Sequence, residues 1–320
     1  MRRGRFAPTP SGLLHIGNAR TALLAWLQMR KVGGTIVMRI EDIDQPRCKP
    51  EYVEQLLLDM RWLGLDWDEG PDIGGPYGPY EQSRRLDLYE EALRQLERDG
   101  RLYSCYCSRA QLMEIASAPH GLAGEGPAYP GWCRHLSESE RKEREAKKRP
   151  SLRFILPDRP FHFDDLVLGP QSFPAGAGGD FIVRRADHIY AYQLAVVVDD
   201  AAMKITDVLR GYDLLDSTPR QLALFEALGL EAPRYAHVPL IYGPDGKRLA
   251  KRHGAVNIAD LRKAGVSPQW IVGCLAWMSG LIERPEPVRC DELIDEFDLS
   301  KIPKQPVVLD DQLLRMLYDH

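Results

Sequence analysis

The stretch Arg5-Phe-Ala-Pro-Thr-Pro-Ser-Gly-Leu-Leu-His-Ile-Gly-Asn18 decides how the rest of the chain is read. Arg5 to Ala7 is a short apolar start, closed by Pro8, Pro10 and Gly12. A helix follows, with Ala19, Leu23, Trp26, Leu27 and Arg30 at one-face spacing and Gly33-Gly34 as its stop. A strand, a tight loop and a helix start suit a phosphate, because a helix N-terminus carries partial positive charge and unpaired N–H donors. His15 lies just ahead of that start and can donate to phosphate oxygens, and Gly17 leaves room for a flat base to approach the backbone. Taken alone, the segment reads equally well as a structural loop with a surface histidine.

Outward from this stretch the alternation continues. Thr35-Ile-Val-Met-Arg-Ile40 reads as a β-branched strand, and after Pro46 and Pro50 comes a helix burying Val53, Leu56, Leu57 and Met60. Glu81 to Gly100 reads as a further helix. This order predicts an α/β fold with a doubly wound, Rossmann-like parallel sheet. From about 104 the texture changes to cysteines, glycines, prolines and a charged run, which suggests an inserted module. The alternation then resumes. Tyr190 to Val198 reads as a strand buried on both faces and ending in Asp199-Asp200. Thr218-Pro-Arg-Gln221 reads as a helix start with a capping box. Beyond 255 only helical signals remain, broken by prolines. The expected divisions are 1–104 and 185–254 for the two halves of a catalytic domain, 105–184 for the insert and 255–320 for a helical C-terminal domain.

Composition excludes several classes. The chain has 320 residues, 44% hydrophobic and 28% charged, which is neither disordered nor fibrous. Its 42 basic and 46 acidic residues give a net charge of −4, which argues against a bulk polycation but permits a local basic groove. The longest uncharged apolar stretch, Trp270 to Ile282, is too short to span a bilayer, and no apolar signal core follows the first arginines. Six cysteines in this length do not suggest a disulfide scaffold. A soluble cytoplasmic protein with reduced thiols is expected. Cys105, Cys107 and Cys133 in the insert favour zinc modestly by spacing, with buried free cysteines as the alternative.

A second chemical segment is Lys247-Arg-Leu-Ala-Lys-Arg252, opened by Gly243-Pro-Asp-Gly246. Four cations in six residues on a Gly/Pro loop fit a clamp for a polyphosphate, although in isolation they read as a solvated turn. A Walker A sequence and a helix-opening Gly-x-Gly-x-x-Gly are both absent. His15-Ile-Gly-Asn18 resembles the HIGH signature, and Arg248-Leu-Ala-Lys-Arg252 the KMSKS signature, of class I aminoacyl-tRNA synthetases. Arg5-Phe-Ala-Pro8, Arg39-Ile-Glu-Asp-Ile-Asp44, Trp62-Leu-Gly-Leu-Asp-Trp67 and Gly75-Pro-Tyr-Gly-Pro-Tyr80 resemble the glutamyl branch, in the correct order over residues 5 to about 255. Asn18 stands in place of the final histidine of HIGH, and Ala250 in place of the hydroxyl residue of KMSKS.

Within that branch the chain more closely resembles the short glutamyl-Q tRNA(Asp) synthetase family, which loads glutamate onto queuosine rather than the tRNA 3′ end. Tyr190 to Asp200 and Leu209 to Gln221 carry this likeness, with Tyr212-Asp-Leu214 where full-length enzymes have Glu-Asp-His. Asp291 to Ile302 resembles full-length enzymes instead, so a truncated glutamyl-tRNA synthetase is the alternative. A non-catalytic zinc-bearing RNA-binding module is a third reading, expected to have lost His15, Lys251 or the arginines.

The resemblance implies a glutamate site at Arg5, Phe6, Ala7, Pro8, Thr9, Glu41, Tyr192 and Arg210. It implies ATP contacts, with Mg²⁺ on the phosphates, at His15, Gly17, Asn18, Arg248 and Lys251, of which His15 and Lys251 act in catalysis. It implies one structural Zn²⁺ on Cys105, Cys107, Tyr129 and Cys133, with His120 and His135 as chemically more ordinary fourth donors. The implied partner is the tRNA(Asp) anticodon stem-loop, and a monomer is expected. Asp199-Asp200 reads better as structural than as a group orienting the acceptor, and the run Arg141 to Arg149, interleaved with Glu143 and Glu145, as a solvated helix face. The resemblance to the short paralogue implies activation of glutamate without the tRNA that full-length glutamyl enzymes require. Lys251→Ala is expected to remove about 3 kcal/mol of transition-state stabilisation. Glutamate-dependent ATP–pyrophosphate exchange, expected to fall roughly a hundredfold, checks this.

Overall fold

A computed structural model describes residues 1–108, 111, 121–122, 126–127, 129–243 and 256–318. Strand β1 (Arg3–Phe6) leads through the Pro8–Gly12 loop into helix α1 (Ile16–Arg30), which returns the chain to β2 (Thr35–Met38). Helix α2 (Pro50–Trp62) and helix α3 (Leu86–Arg98) follow, the latter after a 3-10 turn at Gln82–Arg84. Then come β3 (Leu102–Cys105), a short hairpin of β4 (Gly121–Leu122) and β5 (Gly126–Pro127), and helix α4 (Glu138–Lys147). Strands β6 (Ser151–Phe154), β7 (Phe161–Asp165), β8 (Gly169–Phe173) and β9 (Phe181–Arg184) lead to α5 (Tyr192–Ala202). The alternation closes with β10 (Asp207–Gly211), α6 (Thr218–Ala227) and β11 (Arg234–Val238). Beyond it lie β12 (Ile241–Tyr242), α7 (Ile258–Lys263), α8 (Pro268–Met278), β13 (Val307–Val308) and α9 (Asp311–Tyr318).

The central sheet runs β2-β1-β10-β11-β7-β8. Its first four strands are parallel, β7 joins β11 in parallel at Tyr235 opposite Asp165, and β8 folds back antiparallel. The expected parallel, doubly wound sheet is therefore present in its larger part. Strands β7 and β8, from the segment expected as an insert, extend it, whereas β3, β6 and β9 form a separate antiparallel sheet. Because β1 is followed by β2 on one side and flanked by β10 on the other, the strand order switches at β1. A crevice outside the carboxyl ends of β1 and β10 follows from that topology.

Four local expectations need correction. Tyr190 to Val198 is not a strand; Tyr192–Ala202 is helix α5, with Leu194 to Val197 essentially inaccessible. A helix packed on several sides loses its polar stripe, so the apolar run carries no period to distinguish it from a buried strand. The helix after Arg84 starts at Leu86 rather than Glu81. The capping box at Thr218 does not form, since the preceding 3-10 turn (Tyr212–Ser217) runs straight into α6 and the Thr218 hydroxyl accepts from Arg210 instead, at 2.9 Å. The C-terminal region is not wholly helical, because β13 pairs in parallel with β12.

The core is built around α1, whose Ile16, Ala19, Leu23, Leu24, Leu27 and Met29 are all inaccessible between the sheet and the C-terminal helices. Close approach is enforced by glycine. A Cβ on Gly4 would lie 2.6 Å from Met29 Cγ, and one on Gly273 in α8 would lie 1.8 Å from the Glu286 carbonyl oxygen. Among the described residues no helix is long and apolar enough to cross a membrane. Gly273→Ala is expected to destabilise the fold by about 2 kcal/mol through overpacking against backbone, despite alanine's better helix propensity. A lower urea midpoint at unchanged slope checks this.

Candidate active site

A cleft of about 1030 Å³ opens at the carboxyl ends of β1 and β10, as the topology requires. Arg5, Phe6, Ala7, Pro8 and Thr9 line it from β1 and its loop, Glu41 from beyond β2, Tyr192 from the start of α5 and Arg210 from β10. His15, Gly17 and Asn18 line it from the start of α1. The candidate substrate residues inferred from sequence thus meet in one place. Arg248 and Lys251 lie outside the described residues.

Beneath the cleft three cations, Arg5, Arg39 and Arg85, face three anions, Glu41, Asp199 and Asp200, all of them buried. Arg39 donates to Asp200 at 2.7 Å and to Glu41 Oε1 at 3.1 Å. Arg5 Nε reaches Asp200 at 3.4 Å, and no described residue accepts from its Nη1 or Nη2. Asp199 accepts from Arg85 at 2.6 Å, Tyr89 at 2.8 Å and Gln82 at 2.9 Å. Asp199 and Asp200 are therefore buried structural carboxylates, with 0% and 3% exposure. Burial raises the Glu41 carboxyl above its ordinary range, with Arg39 and Arg5 pulling it back. Burial likewise raises the Tyr192 phenol, aided by the Glu41 charge. The result is a pocket presenting a guanidinium fork beside a carboxylate, which suits an amino acid bearing an extra carboxylate.

The α1 side of the cleft is set by local geometry. His15 is the N-cap of α1 in extended backbone, and its Nδ1 accepts from the Asn18 N–H at 3.3 Å. A Cβ on Gly17 would lie 3.2 Å from the His15 ring, so glycine lets the imidazole fold over the helix end. The Ile16 N–H donates to the Val256 carbonyl at 3.0 Å and the Ile258 N–H to Leu14 at 2.9 Å, fastening this turn to the segment that follows residue 255.

The metal candidate is a tight cluster. Sγ of Cys105, Cys107 and Cys133 lie within 4.8 Å of one another. The Tyr129 hydroxyl sits among them, 3.5 Å from Cys105 and 3.2 Å from Cys107, while Cys107 and Cys133 are 3.7 Å apart. A tetrahedral ion with bonds of about 2.3 Å to sulfur and 2.0 Å to oxygen requires edges of about 3.8 and 3.5 Å. The donor set therefore fits a tetrahedral metal. Arg153 lies 3.8 Å above the Tyr129 ring. Burial opposes ionisation of Cys105, but hydrogen bonds with Tyr129 and Arg153, together with the Arg153 charge, hold its thiol below the ordinary value. Burial pushes Cys107 up to about 11. His135 is exposed and outside the cluster, and His120 lies outside the described residues. Helix α4 is exposed along its whole length, with Lys142–Glu138 and Lys147–Glu143 pairs, in keeping with a solvated face.

Sequence reasoning passed over Arg39, although it stands inside a quoted motif, and His237, a histidine in the buried part of β11. It also passed over Tyr52, Asn257, Asp260 and Tyr318, which line the far side of the cleft and carry no local signal.

Residues 2–316 match the family of tRNA synthetases class I (E and Q), catalytic domain. The chain is similar to a glutamyl-Q tRNA(Asp) synthetase of Symbiobacterium thermophilum, 65% identical and covering 95% of this chain and 94% of that protein. A protein of the same name from Nitratidesulfovibrio vulgaris is 49% identical, covering 99% and 98%. Among solved structures, a glutamate tRNA ligase from Elizabethkingia meningosepticum has a TM-score of 0.84 at 32% identity, covering 99% of this chain and 68% of that one.

Proposed function

The chain belongs to the class I tRNA synthetases of the E and Q type, within the glutamyl-Q tRNA(Asp) synthetase family, and from that membership we propose its reaction: activation of glutamate with ATP, without tRNA, and transfer to queuosine of tRNA(Asp). The observation that carries this reading is the convergence of residues 5–9, 15–18, 41, 192 and 210 on one cleft. Arg5 and Arg210 take the carboxylates of glutamate, Glu41 its ammonium, and Tyr192 adds a hydroxyl contact. A glutamate carboxylate oxygen attacks the α-phosphorus of Mg-ATP, and the bond to pyrophosphate breaks as glutamyl-adenylate forms. A hydroxyl of the queuosine cyclopentenediol then attacks the activated carbonyl, loses its proton, and releases AMP. No side-chain nucleophile is needed. His15, Lys251, Arg248 and the α1 N-terminus, with Gly17 and Asn18, supply alignment and charge stabilisation. The anticodon stem-loop presents its modified base at the cleft mouth, and the chain acts as a monomer.

A shortened glutamyl-tRNA synthetase is less supported. The chain is 65% and 49% identical to the two glutamyl-Q tRNA(Asp) synthetases but 32% identical to the glutamate ligase. Glutamate-dependent ATP–pyrophosphate exchange without tRNA is the expected outcome. Exchange only with tRNA(Glu) would favour the shortened synthetase, and no exchange from folded protein a non-catalytic module.

The sulfur cluster suits zinc, since thiolates bind it tightly at tetrahedral geometry, with Tyr129 as fourth donor. The ion would tie β3 to the Tyr129–Cys133 turn and brace the insert. Elemental analysis should find a single zinc per chain, lost in Cys133→Ser. Folded protein purified without chelator and free of zinc would refute the assignment.

A further inference from the structure

Arg210 reaches the cleft with most of its donors already engaged. A guanidinium has five N–H bonds. Its Nε donates to His237 Nε2 at 2.9 Å, Nη1 to Gln221 Oε1 at 2.7 Å, and Nη2 to Thr218 Oγ1 at 2.9 Å and the Leu214 carbonyl at 3.3 Å. One Nη1 hydrogen is left for a ligand. An Arg Nε always carries its hydrogen, so His237 Nε2 must offer a lone pair, and the ring proton must sit on Nδ1. Nδ1 lies 2.6 Å from Asp165 Oδ2. The Asp165 carboxylate also accepts the backbone N–H groups of Val167 at 3.0 Å, Leu168 at 2.9 Å and His237 at 3.1 Å. His237 is inaccessible, Asp165 4% and Arg210 3% exposed. Burial pushes the His237 imidazole down to about 4, against the pull of Asp165, so the ring is neutral at neutral pH.

We propose that Asp165 and His237 are positioning residues for substrate binding: Asp165 selects the Nδ1–H tautomer of His237, whose Nε2 fixes the Arg210 fork at the angle that delivers its remaining N–H to a glutamate carboxylate. The proposal rests on the reading that Arg210 binds glutamate. The chain of contacts joins β7, β11 and β10, so a strand two places away from β10 in the sheet sets the orientation of a group in the cleft. Without the lone pair at Nε2, the Arg210 Nε–H would lose a buried acceptor and the side chain would reorient to find another.

The test uses the full chain in ATP–pyrophosphate exchange, with KM measured separately for glutamate and ATP. His237→Leu should raise the glutamate KM about tenfold, the scale of one hydrogen bond to a charged group, with the ATP KM within about twofold. His237→Gln, whose amide oxygen can accept from Arg210 while its nitrogen donates to Asp165, should recover most of that loss. Folded His237→Leu with an unchanged glutamate KM, alongside Arg210→Ala with a raised one, overturns the relay and leaves the Arg210 reading standing. An unchanged glutamate KM in Arg210→Ala overturns both. Should the variants fail to fold, ¹⁵N shifts of the unmodified protein decide. A protonated Nδ1 and unprotonated Nε2 on His237 at neutral pH are expected, and the opposite tautomer overturns the proposal.

Discussion

Arg39 enters the interior just beyond β2 with no solvent contact, its guanidinium held by Asp200 at 2.7 Å and Glu41 at 3.1 Å. Burial alone would lower its basicity, but Asp200, Asp199 and Glu41 together raise it. Moving ions of either sign out of water costs several kcal/mol each, and only close opposite charges offset that. The cluster therefore commits several elements at once. Glu41 follows β2, Asp199 and Asp200 lie on α5, Arg85 caps α3 and Arg5 lies in β1. Displacing any one of them takes a partner away from a buried charge.

That constraint also shapes the pocket. Because Asp200 is taken up by Arg39 and by Arg5 Nε, the outer face of the Arg5 guanidinium is turned toward the cleft. Because Glu41 accepts from Arg39 through Oε1, its other oxygen carries no hydrogen bond from the described residues. A cation and an anion are thus held side by side before any substrate arrives, which lowers the reorganisation that binding a zwitterion would otherwise demand. Arg210 differs in being held by neutral acceptors, His237, Gln221, Thr218 and a carbonyl. Its charge is not cancelled locally and remains to attract a carboxylate.

The module around the sulfur cluster obeys a different logic. Tyr129 is buried at 7% exposure, and its hydroxyl is surrounded by sulfur and the Cys133 N–H. Such a phenol is poorly solvated, and burial and the adjacent thiols raise it far above its ordinary value. A divalent ion among these donors would reverse that balance by making deprotonation favourable.

Short-range features were legible in the sequence because their causes are short-range. Prolines and glycines after β1, the one-face spacing of α1 and the order of strands and helices follow from backbone sterics and periodicity acting over a few residues. The paired cysteines and the candidate glutamate and phosphate residues were likewise recognisable as types in motifs. Helix α5 was misread because immersion on several faces erases period, and Thr218 because its hydroxyl was claimed by Arg210 rather than by its own helix. Which charges meet depends on packing across the chain. Arg39 and Asp200 are 161 positions apart, and Asp165 and His237 are 72 apart. Local sequence pattern was enough for the fold class and for eleven of the residues that line the cleft. The partners that orient Arg5, Glu41 and Arg210 arise from strand order and helix packing, since ion pairing depends on distance in space and leaves no mark on distance along the chain.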